Sequence, residues 1–551
     1  MVDNLLTAQS VWKDFATESV TEEIIEENIK EGVVVKKIYL SGREVGVDSV
    51  KIYGIVVHPK KMTDLPGLLV FGEIGKPIEE ALLIKLAKKG YCVFSPDFGG
   101  KSEEEYFTLY PEIISYANYT ESKDKLLEVK ESARKTCWYE WGCVAKHALK
   151  YLKQNHALVG ALGIKKGAEV LWHLAGTESL DAVVFAFGTG WHTYKGKFKF
   201  ANQDATTFDE VYYKYLAGFE PQSYAQYVKA PALILSATNN DSYDFERTYD
   251  TYIRLDHCGY KAINCSVGTG DVLDYGSYRD IEIFLAKNLK QTEDFLPKEL
   301  DFEVEENNGK IKITVTPDEQ GLKNIEVYKA ENVLNPTLLG WTKIADLGKE
   351  KVYEYEIKNT VNKLFFMVKA EYENGFTLSS GVIAKDVTTN LIARRVNMLF
   401  SNVKKVNKFF AYVSEDDEFV NSSIITEDIK GMRIEKGPMA IKGVYSETGL
   451  ISYSLNNEDA KFDEHSILML DLYSKEDNEI EIELIVNYKK ENQTSYFFKK
   501  EVQGSNIWRD FRIEGVRLKT LEGKPLQSFD NVNAIILRFK DKYVINNVMW
   551  I

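Results

Sequence analysis

HALVGALGIKKGAEVLWHLAG (156–176) decides the architecture. A short apolar run, His156 to Gly163, meets a tight break at Ile164-Lys165-Lys166-Gly167 and continues at once into an amphipathic helix. Two glycines flanking a strand-to-helix turn mark a place where neighbouring backbone comes too close for a Cβ. Around it the same alternation repeats. GLLVF (67–71) reads as a buried strand, IEEALLIKLAKKG (78–90) as a helix closed by glycine, and YCVFSPDF (91–98) as the next strand. A polar stretch (99–125) leads to a long helix over roughly 126–154. LDAVVFAFG (180–188), APALILSAT (230–238) and YKAINCSVG (260–268) supply further strands, and YRDIEIFLAKNL (278–289) a closing helix. From Val33 to about Lys290 this is the pattern of a mainly parallel, doubly wound α/β sheet.

Beyond Leu296 the helical periodicity stops. Alternating runs such as KIKITVT (310–316), LFFMVKAEY (364–372), EIEIELIVNY (479–488) and AIILRF (534–539) predict two all-β sandwich units after the α/β unit. The expected boundaries are 1–297, 298–386 and 387–551. A chain of 551 residues is longer than one core usually serves, and several units follow from that alone.

A net charge of −14 without a long basic stretch excludes nucleic acid and an anionic membrane surface as principal partners. Five cysteines, an odd number confined to the first half, imply reduced thiols rather than a disulfide framework, with Cys137 and Cys143 read as buried packing. The opening MVDNLLTAQSVWKDF has neither the basic nor the apolar region of an export signal, so the sequence as it stands reads as cytoplasmic, or as secreted if a signal preceded it. No run approaches the roughly 18–20 apolar residues of a membrane span.

The Gly163-Ile164-Lys165-Lys166-Gly167 turn resembles the nucleophile elbow of the α/β-hydrolases, written G-x-S-x-G, with Lys165 where that family carries serine. LAKKGYCVFSPDFGGKS (86–102) resembles the corresponding stretch of the acetyl xylan esterase and dienelactone hydrolase type. The resemblance assigns further positions. Gly72 and Glu73 fall in the oxyanion loop, where Glu73 would bring negative charge to a place meant to stabilise it, and Lys166 contributes to the same hole. Asp241 stands where the acid of the triad belongs. Gly270 and Asp271 occupy the loop that should carry the histidine, and none is there. These positions read as vestigial, with Lys165 salt-bridged to Asp241 or Asp271 and Glu73 close by. A Schiff base or an anion site at Lys165 is the sharper alternative. Trp191 and His192 border the expected cleft. No cofactor and no metal are implied.

Residues 298–386 resemble a fibronectin type III sandwich, and 387–551 a carbohydrate-binding jelly roll. Trp508 and Trp550 read as core, and Tyr445, Tyr453 and Tyr496 as open to a sugar role. The acidic runs 414–418 and 456–464 read as solvated loops rather than calcium sites. The plan resembles modular bacterial carbohydrate esterases. It implies a catalytically inactive, binding protein whose ligand is a carbohydrate or glycoconjugate. The alternatives are an active esterase with a non-standard arrangement, which a serine beside His192 or His257 would favour, and a structural or assembly protein. Oligomeric state is not legible.

Overall fold

The computed structural model describes residues 5–16, 19–61, 64–192, 199, 210–240, 242–307, 310–331, 336, 339–357, 363–386, 397–400, 411–413, 419–420, 431–452, 455, 466–487, 490–514, 517–526 and 532–550. The first part forms one nine-stranded sheet: β1 (Glu22–Lys30), β2 (Val33–Val45), β3 (Asp48–Pro59), β4 (Gly67–Phe71), β5 (Cys92–Pro96), β6 (Val159–Ile164), β7 (Ala182–Ala186), β8 (Ala232–Ala237) and β9 (Lys261–Ser266). Their order is β1-β2-β3-β5-β4-β6-β7-β8-β9. The six strands from β5 to β9 in that order are parallel, and β1 to β3 add an antiparallel flank. The parallel strands are mostly apolar because helices cover both faces. Trp138, Trp141 and Trp172 of the helices Cys137–Lys153 and Lys166–Ala175 fill one side, where Trp172 stacks on Phe185 with ring centroids 3.8 Å apart. Leu82, Leu86, Ile281 and Phe284 fill the other.

Two readings change. The helix expected over 126–154 begins at Cys137, because the Thr136 side chain accepts from the Tyr139 amide and sets the N-cap there. The outermost strand, β1, was hidden by its charges. EEIIEENIK is a solvent-exposed edge, and a bulge interrupts its pairing between Ile24 and Glu26.

From Asp301 the described regular elements are strands, apart from a 3-10 turn at Pro438–Ala440. Three strands (Asp301–Asn307, Lys310–Thr316, Val352–Glu356) form one sheet, and the strands Leu322–Glu331, Thr342–Asp346, Lys363–Tyr372, Thr377–Ser379 and Ile383–Asp386 form the next. Two six-stranded sheets follow, and their facing residues, among them Leu468, Leu470, Ile480, Ile482 and Trp550, share one core. Both acidic runs lie outside the described residues, as does Tyr453. Cys137 and Cys143 are buried and free. Among the described residues no helix is long and apolar enough to cross a membrane, and no cluster of His, Cys, Asp and Glu could hold a metal.

The middle β region closes over β9. The β9 amide of Cys265 donates to Ser379 Oγ at 2.9 Å, and Lys369 Nζ donates to the Cys265 carbonyl at 2.8 Å. Beside them Asp280 is fully buried and accepts from the Thr377 amide (2.9 Å), the Thr377 hydroxyl (2.7 Å) and Asn264 Nδ2 (2.5 Å).

His173 gives the α/β core a marked acid sensitivity. Its ring lies among Trp12, Trp138, Phe219 and Tyr224, Nε2 bonds the Phe219 carbonyl at 2.8 Å, and Nδ1 is buried without a partner. Burial lowers its pKa to about 4, so the ring is neutral with the proton on Nε2. A base depressed on folding takes up its proton more readily in the unfolded chain. Stability is therefore lost as pH falls from the ordinary histidine value towards 4, by about 2 kcal/mol at pH 5. In urea titrations His173→Gln, which keeps a donor towards Phe219, should flatten that acid limb. An unchanged limb would rule His173 out as its source.

Candidate functional site

The site is built at the carboxyl ends of the parallel strands, where open α/β sheets gather their functional loops. β6 ends at Ile164, and the helix Lys166–Ala175 starts two residues later. Lys165 alone makes the turn, at φ 54° and ψ −119°, a conformation that costs a non-glycine residue about 1–3 kcal/mol. The turn is too tight for side chains around it. A Cβ on Gly163 would lie 2.5 Å from Ala168 Cα, and one on Gly167 would lie 2.2 Å from the Phe71 carbonyl oxygen. The elbow geometry is therefore intact with lysine at its tip.

Lys165 Nζ lies 3.0 Å from Asp271 Oδ2, on the loop after β9, and 3.2 Å from Glu73 Oε2, on the loop after Gly72 that follows β4. Burial alone would lower the lysine pKa, but Asp271 and Glu73 together raise it above the ordinary value. An ammonium so held has no lone pair to offer. Gly270 has room for a side chain, since a Cβ there meets only the Met439 carbonyl oxygen, at 3.9 Å. Asp241, expected in the place of the triad's acid, lies outside the described residues. Next to it, Asn240 Oδ1 accepts from the amides of Ser242 and Tyr243 and turns the chain after β8.

That turn delivers Tyr243 to a second, deeper cluster. Lys166 Nζ bonds Glu169 Oε1 at 2.6 Å, His192 Nε2 lies 3.0 Å from Glu169 Oε2, and the Tyr243 hydroxyl donates to Glu169 Oε1. Lys166 Nζ also lies 3.2 Å from the Tyr243 hydroxyl and 3.3 Å from His192 Nε2. Glu169 has no exposed surface, and burial would raise its pKa. The adjacent His192 ring and Lys166 ammonium outweigh that and hold it well below the usual carboxylate range. Burial and the adjacent Glu169 push the Tyr243 phenol well above its ordinary value, so it acts as a neutral donor. Three donors thus converge on one ionised carboxylate directly beneath the elbow.

The expected site residues separate accordingly. Lys165, Glu73 and Asp271 come together, and Lys166 turns inward to Glu169. His192 joins the deeper cluster, where its ring packs beside Tyr243 and Tyr215. Trp191 instead donates to Thr251 Oγ1 at 3.0 Å and packs under Arg254, 4.6 Å from the ring centroid. His257 is exposed. Glu169 and Tyr243 went unread in the sequence. The available signal was a single carboxylate in the otherwise apolar run AEVLWHLAG.

Residues 52–257 match the model of the dienelactone hydrolase family, which sets this stretch within the α/β-hydrolase superfamily that its elbow resembles. Among solved structures the chain is similar to an acetyl xylan esterase from Paenibacillus sp. R4, at 14% identity over 48% of this chain and 87% of that one, with a TM-score of 0.36. It is similar also to acetyl xylan esterase 1 from Thermoanaerobacterium sp. JW/SL YS485, at 14% identity over 49% and 88%, with a TM-score of 0.37. No curated protein matches the chain.

Proposed function

We propose that this protein uses a hydrolase frame for binding rather than for ester hydrolysis. One observation carries the reading: at the tip of the elbow stands an ammonium clamped between Glu73 and Asp271. A serine esterase needs a hydroxyl at that tip, an imidazole within reach to take its proton, and donors facing the developing oxyanion. Here the tip is cationic, the loop after β9 offers Gly270 and Asp271, and the oxyanion loop presents a carboxylate. Each change opposes one requirement of acyl transfer. The ligand class is a carbohydrate or glycoconjugate, as the modular plan of the sequence implies.

Hydrolysis of 4-nitrophenyl acetate tests the reading, with wild type, Lys165→Ala and the Lys165→Ser/Gly270→His pair run together. The expected result is no wild-type rate above the buffer and none in Lys165→Ala. A rate in the paired variant would show that the elbow still positions a nucleophile. Wild-type turnover abolished by Lys165→Ala would overturn the proposal in favour of a lysine-dependent esterase.

A further inference from the structure

A cleft of about 730 Å3 opens where the α/β region meets both β regions. That volume lies within the range of small-ligand sites. Its inner rim is Asn239 and Gly268, on the loops that follow β8 and β9 and that lead to Asp241 and Asp271. The cleft therefore begins beside the loops that flank the elbow. Its walls are Trp341 and Lys329 from the middle β region and Trp508, Asp471 and Arg512 from the last.

Trp508 is half-buried and lines this cleft, which corrects the reading of it as core. Its indole Nε1 donates to the Pro438 carbonyl at 3.1 Å, and its ring lies so close to Gly437 that a Cβ there would sit 2.5 Å away. The ring is held in place before any ligand arrives. The turn that holds it, Pro438–Ala440, carries two successive non-glycine residues at φ 58°, Met439 and Ala440. Met439 reaches across to the α/β region, where its Sδ lies 3.4 Å from the Cβ position of Gly268. Backbone strain of this kind persists where surrounding structure fixes it and clusters at binding sites.

Apolar side chains such as Leu339, Ile441 and Met469 share the cleft lining with charged ones. Along the strand Ile467–Tyr473, Leu468, Leu470 and Leu472 enter the core, while Met469, Asp471 and Tyr473 lie on the opposite face. Asp471 accepts from Asn547 Nδ2 at 2.9 Å, and Asn547 Oδ1 is buried without a partner. Arg512 lies 2.9 Å from Asp510 and 3.4 Å from Glu331, and Lys329 lies 2.6 Å from Glu331. Of the four cations that line the cleft, Lys329, Lys343 and Arg512 are thus each paired with a carboxylate. That balance does not select a phosphate or another polyanion.

We propose that this cleft binds a short saccharide. A sugar ring presents an apolar C–H face that lies flat on an indole, and neighbouring hydroxyls that pair with the two ends of a carboxylate, guanidinium or carboxamide. Trp341 and Trp508 beside Asp471 and Arg512, all of which line the cleft, meet both needs. The assignment rests on the binding reading above but uses none of the elbow residues, so the two fail separately.

Titration of the full chain with xylotetraose, cellotetraose, chitotetraose and mannotetraose, up to about 10 mM, with tryptophan fluorescence and calorimetry as readouts, tests it. At least one should bind with a Kd of about 1 mM or tighter, and Trp508→Ala and Trp341→Ala should each weaken it about tenfold or more. Trp508→Phe, which keeps an aromatic face, should retain most of the affinity and guards against a folding defect. No binding by any of the four overturns the proposal and leaves the esterase assay to judge the elbow. Binding that both alanine variants retain overturns the cleft while sparing the ligand class. A tetrapeptide pool that binds where the sugars do not overturns the saccharide.

Discussion

Glu169→Ala should lower the melting temperature of the α/β region by about 10 °C, a loss of about 3–5 kcal/mol. The carboxylate is fully buried and receives Lys166, His192 and Tyr243, so its removal strands an ammonium and a phenol hydroxyl in low dielectric and opens a cavity. Lys166 is partly accessible and can recover some hydration, whereas Tyr243 is 5% exposed and cannot. Glu169→Gln keeps an oxygen for Lys166 and Tyr243 and offers an amide to His192 Nε2, which needs only the other tautomer. It should recover more than half of the loss. Calorimetry on the three proteins decides the matter, and equal melting of wild type and Glu169→Ala would mean that the cluster contributes nothing net to folding.

Asp280→Ala should uncouple the middle β region from the α/β region, at a cost of about 2–4 kcal/mol. Three donors, two from Thr377 and one from Asn264, lose their acceptor in a buried interface. The expected result is a calorimetric transition that broadens or splits, with faster proteolytic cleavage near the connection at 290–300. The effect carries a pH signature. Burial pushes the Asp280 carboxyl up to about 7, against the Thr377 and Asn264 donors, which favour its ionised form. A carboxyl raised on folding contributes most in acid and loses that contribution as pH rises towards 7. The defect of Asp280→Ala should therefore be larger at pH 5 than at pH 8, and the opposite trend would mean that the ionised form makes the bond.

The parallel core of the fold was legible because its strands are continuous apolar runs bounded by glycine and polar turns. GLLVF and LDAVVFAFG leave little choice, and the G-x-x-x-G spacing at 163–167 fixes the turn between strand and helix. Charge hid the rest. EEIIEENIK pairs as β1 although its alternation is masked by glutamates, which is what an exposed edge permits. The ion pair of Lys165 with Asp271 and Glu73 followed from reading three loops at the ends of neighbouring strands. The Glu169 cluster did not, because it needs Tyr243 and His192 brought in from 74 and 23 residues away, and no local pattern encodes that meeting. Trp508 failed for a related reason: its alternation is that of a core strand, and only the neighbouring region shows that its face is left open.

The two margins of the nine-stranded sheet bear on self-association. An unguarded margin is a row of amides and carbonyls onto which another chain can crystallise its own strand. On one side β1 presents Glu22, Glu23, Glu26 and Glu27 and is broken by its bulge. On the other, Ser379 and Lys369 already occupy the Cys265 amide and carbonyl of β9. Like charge and a bulge guard one margin, and hydrogen bonds from the middle β region cap the other at Cys265. The middle β region thus acts on that margin as a built-in chaperone, leaving less of β9 open to a strand from a second copy of this chain.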